Sequence, residues 1–433
     1  MMSALFVVGL AVAVFVGYNI GGSSTGVAFG PAVGSRIVGK ATAGVLFTAF
    51  ALAGGWTIGR NVIDTMSNGI VPAAQFSAEA SIGVLFFTGL SLLVSNLYGV
   101  PASTSMTAVG AIVGLGLATG TLNEALMFTI VSAWVVAPLF SFFLGAVIGR
   151  YLYPYLDAHF AFGRIEDGLF RLDDSGTVPR PTFNESASAR DIAGASLVLA
   201  IACYMGFSAG ASNAANAVAP LVGSGALGVD AGILLAIGAI GLGGLTIARR
   251  TLETVGDDIT ELPILAALIV SSIGATVITV LSQLGIPASL AVSTTSCIIG
   301  LGWGRASRVV TLAEAATAPL EKEVEHGPEM TVGALTTPAA EATTAEGETV
   351  EAGGPTVGEL ASGEATEKAD ETKQAVAETG AGPAVQPIGK EEPDHLNRKA
   401  LFDPAATSRI VLLWVLTPTL SVVGSFAVFS LFL

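Results

Sequence analysis

Charge is scarce in this chain. Only 12% of the 433 residues are charged while 52% are hydrophobic, which excludes an ordinary soluble domain, where about a quarter of residues carry charge. Cysteine is rarer still. Cys203 and Cys297 are the two present, both in apolar stretches and at no metal-ligand spacing, so a disulfide framework and a zinc site are excluded. The three histidines, His159, His326 and His395, all fall in polar segments. Nothing in the apolar part therefore resembles a His or Cys catalytic or metal centre. No enzymatic activity and no cofactor are expected, nor is a nucleic-acid partner. The first apolar stretch lacks a basic flank, which argues against a cleaved signal peptide.

What is abundant is apolar length. Stretches of about 20 residues, enough for a helix to cross the hydrocarbon, recur at 4–22, 41–59, 79–99, 124–149, 191–209, 229–248, 262–284 and 409–433. Two shorter ones, 101–117 and 289–304, are interrupted by Pro, Ser and Thr. The expected fold class is an all-α integral membrane protein in a lipid bilayer, with broken or re-entrant helices.

The formal net charge of −15 is concentrated in one place. Glu314 to Asp394 holds 18 acidic residues and 4 lysines, a balance of −14, leaving about −1 for everything else. This segment is rich in Ala, Thr, Glu, Gly and Pro, the composition of a disordered, solvated loop.

The chain also repeats itself. At an offset of 189, "GGSSTGVAFGPAVGS" (21–35) and "GASNAANAVAPLVGS" (210–224) share seven of fifteen residues. At the same offset "GGWTIGRNVIDT" from Gly54 matches "GGLTIARRTLET" from Gly243 at six of twelve. At 186, "GVPASTSMTAVGAIVGLG" from Gly99 matches "GIPASLAVSTTSCIIGLG" from Gly285 at eight of eighteen. Three blocks in one order indicate a duplicated unit. Each copy holds about five hydrophobic segments, an odd number, so two inverted-topology repeats are expected. The positive-inside bias agrees: with an external start, 18 of the 19 basic residues fall inside and only Arg60 outside. The expected organisation is repeat 1 over 1–149, a cytoplasmic inter-repeat loop over 150–190, the core of repeat 2 over 191–304, the acidic cytoplasmic loop over 305–408 and the last helix of repeat 2 over 409–433. Both termini are then extracellular, in a multi-pass protein of the plasma membrane.

Inverted repeats are the signature of secondary transporters, whose sites lie near the midplane between the repeats, on discontinuous helices. The Gly-rich and Pro-Ala-Ser blocks are the candidate breaks. No Lys or Arg lies in the interior of the spans, so an anion must be held by hydroxyls and by half-helix N-termini, whose free N–H groups favour negative charge. Ser103, Thr104 and Ser105, just after Pro101, suit such an N-terminus. In the second copy the Pro register pairs Ser289 with Ser103, while the hydroxyl run Ser293, Thr294, Thr295, Ser296 arrives one helical turn later; both registers stay open. Asn213 and Asn216 offer amide oxygens and an unwound Gly-rich backbone offers carbonyls, oxygen ligands suited to a cation such as Na⁺, while the first copy has Ser23, Ser24 and Thr25 at the corresponding places. Asp64, its mate Glu253, and Asp257 and Asp258 lie at span ends, where rim charges are the plainer explanation. Small residues used only for close helix packing are likewise the plainer reading of any one motif taken alone.

Together the four blocks resemble the inorganic phosphate transporter (PiT) family, with its Gly-Ala-Asn-Asp-x-x-Asn-Ala signature and Pro-Val-Ser-Thr-Thr block in each half. The resemblance implies cation-coupled import of inorganic phosphate by alternating access, a symport with Na⁺ or H⁺ as the coupling cation. It places phosphate at Ser103, Thr104, Ser105 and Ser289, with Ser293 and Thr294 in the second register, and the cation at Asn213, Asn216, Ser23 and Ser24. This sequence departs from the family in two respects: the Asn-Asp pair is Ser23-Ser24 in the first copy and Ser212-Asn213 in the second, so both carboxylates are gone, and Val27 stands in the first copy where the later Asn would fall. Sulfate or another oxyanion stays open as substrate, as do a non-transporting sensor or channel and a homo-oligomeric state.

Overall fold

The computed structural model describes residues 2–35, 37–97, 103–159, 170–173, 180–183, 189–246, 264–309 and 404–432. Most of the acidic loop and the inter-repeat loop, along with Arg36, Pro101, Arg249, Arg250, Glu253, Asp257 and Asp258, lies outside them. The helices are α1 (Met2–Gly34), α2 (Lys40–Thr57), α3 (Gly59–Asp64), α4 (Ala78–Leu97), α5 (Thr104–Thr119), α6 (Glu124–Val147), α7 (Tyr153–His159), α8 (Ala189–Gly223), α9 (Val229–Thr246), α10 (Ile264–Gln283), α11 (Leu290–Ala306) and α12 (Pro404–Phe432). The all-α expectation meets one small exception, an antiparallel ribbon of β1 (Phe170–Asp173) and β2 (Arg180–Phe183) in the inter-repeat segment. Among the described residues, seven helices are long and apolar enough to span a membrane, and α2 with α3 forms a further span bent by 62°.

The Gly-rich blocks do not break their helices. α1 runs uninterrupted through Gly21–Ser24 to Gly34, and α8 through Gly210–Asn216 to Gly223, so the expected unwound carbonyls are absent there. The reason is energetic. Glycine in a helix costs about 1 kcal/mol relative to alanine, whereas each backbone group left unmet in hydrocarbon costs several. The glycines serve close approach instead. A Cβ on Gly21 would sit 1.8 Å from the Ile240 carbonyl oxygen, and one on Gly210 2.0 Å from that of Ala51. One on Gly54 would meet the Phe207 oxygen at 1.9 Å, and one on Gly243 that of Tyr18 at 2.1 Å.

These contacts are reciprocal. Adding 189 to one partner and subtracting it from the other converts Gly21–Ile240 into Gly210–Ala51 and Gly54–Phe207 into Gly243–Tyr18. α1 thus crosses α9 just as α8 crosses α2. Exchange of i–j for j–i is what a two-fold relation between copies produces.

The third block breaks the chain as Pro requires. α5 begins at Thr104 after an N-cap at Ser103, and α11 begins at Leu290 after Ser289. Before α11, α10 ends in a left-handed Gly285 (φ 72°), with Ile286 N–H returning to the Leu281 carbonyl at 2.9 Å, a Schellman end that only glycine closes without strain. Each half-helix is backed by the long helix of the other copy. α6 lies along α11, where Gly300 and Gly304 admit the backbones of Phe142 and Ala146, and α12 lies along α5, where Gly114 admits Val422. α6 and α12 are themselves equivalent at an offset of 280, with Trp134/Trp414, Pro138/Pro418 and Ser141/Ser421 in register.

Candidate functional site

The two half-helix starts meet. Ser105 Oγ donates to the Ala288 carbonyl at 3.0 Å, across a sequence separation of 183 residues. α8 closes the junction from the side: Ser212 Oγ donates to the same carbonyl at 2.8 Å and lies 3.3 Å from Ser105 Oγ. Thr104 Oγ1 donates to Asn213 Oδ1 at 2.7 Å. Asn216 Nδ2 donates to Ser105 Oγ at 3.2 Å and to Asn213 Oδ1 at 3.1 Å. Asn213 and Asn216 stand three residues apart on α8 and therefore share a face. The continuous helix that replaces the expected unwound segment is what aims both amides at α5.

The patch is charge-free and sealed. Ser103 and Ser105 are 0% exposed, Asn216 1% and Asn213 5%. Polar atoms this deep are normally bonded, yet Ser103 Oγ, Thr107 Oγ1 and Asn216 Oδ1 have no partner. Ser103 caps α5 by position alone, since its side chain makes no capping bond, whereas Ser289 accepts from Val292 N at 3.4 Å. Two half-helix N-termini, a buried unpartnered hydroxyl at one of them and, among the described residues, no carboxylate bonded into the patch are the chemistry by which a small anion can be received.

The structure resolves the two registers. Ser289 holds the N-cap place that Ser103 holds in α5, so Ser293 corresponds to Thr107, one turn inside the helix. Thr294 donates to its own helix at Leu290 O (2.9 Å) and Ala291 O (3.1 Å), which removes its hydroxyl from the junction. Ser23 likewise donates to Ile20 O at 3.1 Å, and both Ser23 and Ser24 are half-buried on α1, making no hydrogen bond to α5 or α8. The cation candidates thus split: Asn213 and Asn216 bond to the anion candidates Thr104 and Ser105, and Ser23 and Ser24 do not. Asp64 ends α3, where Asn68 Nδ2 approaches its Oδ1 at 3.5 Å. Arg60 pairs with Asp230 at 2.7 Å across the copies, on the exposed rim.

Sequence reasoning missed three residues. Ser212 and Thr107 were legible, the first inside the Gly-rich block and the second as the Pro-register mate of Ser293. Trp134, whose indole Nε1–H donates to the Pro287 carbonyl at 2.7 Å, carried no signal until α6 was placed beside α11.

Known proteins match this arrangement. The model of the phosphate transporter family covers residues 20–326. The sulfate permease CysP of Bacillus subtilis (strain 168) is 34% identical over 292 residues, 67% of this chain and 75% of that protein. A solved structure titled "The sodium-dependent phosphate transporter" superposes with a TM-score of 0.55 at 22% identity, covering 72% of this chain and 93% of the other, and shares the fold. A family model spanning most of the chain places this protein among transporters and not enzymes: the chain belongs to the phosphate transporter family.

Proposed function

We propose that this chain is a secondary transporter that carries inorganic phosphate inward across the plasma membrane by alternating access between two inverted repeats, driven by a cation gradient. The observation that carries the reading is the meeting of Ser103–Ser105 with Ala288–Ser289 in a buried patch, charge-free among the described residues, whose Ser103 Oγ and Asn216 Oδ1 lack partners. Ser103 and Ser105, Ser289 and the first N–H groups of α5 and α11 receive the anion. Asn213 and Asn216 offer amide oxygens to a cation that enters with it. Alternating access draws support from an inequality between the copies. Thr104, Ser105, Ser212, Asn213 and Asn216 seal the α5–α8 seam. The matching positions on α1 and α11 are Ser23, Ser24, Val27, Leu290 and Ala291, and they make no such bonds among the described residues.

Sulfate is the second reading, and one feature favours it. Phosphate keeps a P–OH donor near neutral pH that seeks an acceptor, ideally a carboxylate, while sulfate only accepts. The buried patch has no carboxylate among the described residues, and the CysP relative is a sulfate permease. Proteoliposomes with imposed Na⁺ or proton gradients decide: labelled phosphate should accumulate and be competed by arsenate more strongly than by sulfate. The reverse order establishes sulfate, and no oxyanion uptake under any gradient ends both readings.

Ser103→Ala separates a ligand hydroxyl from a structural one. Its Oγ has no partner to lose, so thermal stability should hold or rise slightly. The Michaelis constant for the anion should rise about tenfold, as loss of one hydrogen bond to a charged group implies. Unchanged uptake kinetics would show that the anion does not reach this hydroxyl.

A further inference from the structure

The last three carbonyls before α11, those of Pro287, Ala288 and Ser289, are each held by a group from outside the break or by the helix it starts. The Ser289 carbonyl accepts from Ser293 N at 3.2 Å. The Ala288 carbonyl accepts from Ser105 and Ser212. The Pro287 carbonyl accepts from the indole of Trp134, on α6 of the first copy. In a bilayer such a carbonyl finds no water, so the indole bond is a condition for the break to stay open at this point. Trp134 stands four residues before Pro138, which has no N–H to give and so releases the Trp134 carbonyl from the helix ladder. The pin therefore sits where α6 bends most readily. The duplication preserves this spacing: Trp414 precedes Pro418 by the same four residues on α12, and both tryptophans are half-buried.

We infer that Trp134 is a positioning residue for the anion site, its indole N–H holding the Pro287 carbonyl and so fixing where the N-terminus of α11 points. The inference rests on the transporter reading for its kinetic consequence but not for its structural one. Trp134 touches no anion ligand directly; it acts through Pro287, Ala288 and Ser289. Losing it leaves Pro287 unheld and the α11 N-terminus tethered by the Ala288 bonds alone, so its direction loosens while the α5–α8 seam, made by other side chains, stays shut. The expected phenotype is weaker anion binding at nearly full turnover.

The test uses the full chain in proteoliposomes and in detergent. Trp134→Phe keeps the ring and removes the donor. The Michaelis constant for labelled oxyanion should rise about tenfold, with maximal flux within about twofold of the parent. Amide hydrogen exchange over 286–296 should accelerate while that of 206–216 is unchanged. Should Trp134→Phe not fold, benzothienylalanine at 134 substitutes sulfur for the N–H at equal shape and answers the same question. An unchanged Michaelis constant with unchanged exchange overturns the inference, as does a fall in maximal flux at constant Michaelis constant. If the parent carries no oxyanion at all, the transporter reading fails, and the exchange comparison alone upholds or overturns the pin.

Discussion

Gly210→Ala is expected to unfold the protein or to leave it barely stable. The new Cβ would lie 2.0 Å from the Ala51 carbonyl oxygen and 2.4 Å from the Ala51 Cα, distances no real contact reaches, and the obstacle is backbone that cannot rotate away. α2 and α8 would have to separate along their crossing, at a cost of about 3 kcal/mol or more on the scale of overpacked cores. The helix gain from replacing glycine, about 1 kcal/mol, is too small to compensate. Gly21→Ala should do the same damage, because the mirrored contact at Ile240 is as close, 1.8 Å. Gly238→Ala is the control: it meets nothing within 4 Å, and its melting temperature in detergent should stay level or rise. Equal melting of Gly210→Ala and the parent would refute the crossing, and damage from only one of the mirrored pair would refute the reciprocity.

The contrast among these glycines marks how far the sequence speaks. Membrane spans, the duplication and the Pro-Ala-Ser breaks are written in local signals: apolar length, matched blocks, and a residue without an N–H. Each predicted span has its helix, and both half-helices start three residues after a proline, α5 at Thr104 after Pro101 and α11 at Leu290 after Pro287. The Gly-rich blocks carry an ambiguous signal, since the same small residues serve an unwound binding segment and a tight crossing. Only the neighbour decides, and Ile240 and Ala51 are far away in sequence. α1 and α8 consequently run 12 to 14 residues past the predicted spans, which end at 22 and 209.

The site shows the same division. That hydroxyls of the Pro-Ala-Ser block would face a partner from the other copy was legible; which hydroxyls would be free was not. Thr294 turns its Oγ1 back on Leu290 and Ala291 and its methyl onto Gly274, while Ser103 and Thr107 keep theirs unbonded. Such choices follow from rotamers set by packing, α12 against α5 and α6 against α11, and this exchange of partners between copies has no signature shorter than the whole chain.

Asn213→Asp is expected to have the largest effect on function, and a different one for each oxyanion. It restores a carboxylate at the position where the resemblance to the family places one. The substitution is structurally mild: Asn213 Oδ1 already accepts from Thr104 Oγ1 and Asn216 Nδ2, donors that suit a carboxylate oxygen as well and bond it more strongly. The electrostatic change is large. Two unit charges about 4 Å apart repel by roughly 4 kcal/mol at an effective dielectric of about 20. A dianion about 7 Å off has twice the charge at nearly twice the distance, so the repulsion stays at roughly 4 kcal/mol and affinity should fall about a thousandfold. Sulfate has no proton with which to offset this. Phosphate does: its P–OH can donate to the new carboxylate, and the penalty should shrink as the pH falls and the monoanion takes over. Uptake by Asn213→Asp should accordingly retain phosphate and nearly lose sulfate, with a steeper dependence on external Na⁺, because a cation bound at Asn213 and Asn216 cancels the added charge. Competition assays in proteoliposomes read the three effects separately. Parallel losses for both anions would mean that the P–OH group does not face α8. No loss for either would move the anion away from Asn213, and with it the seat between α5 and α11 on which the transport mechanism stands.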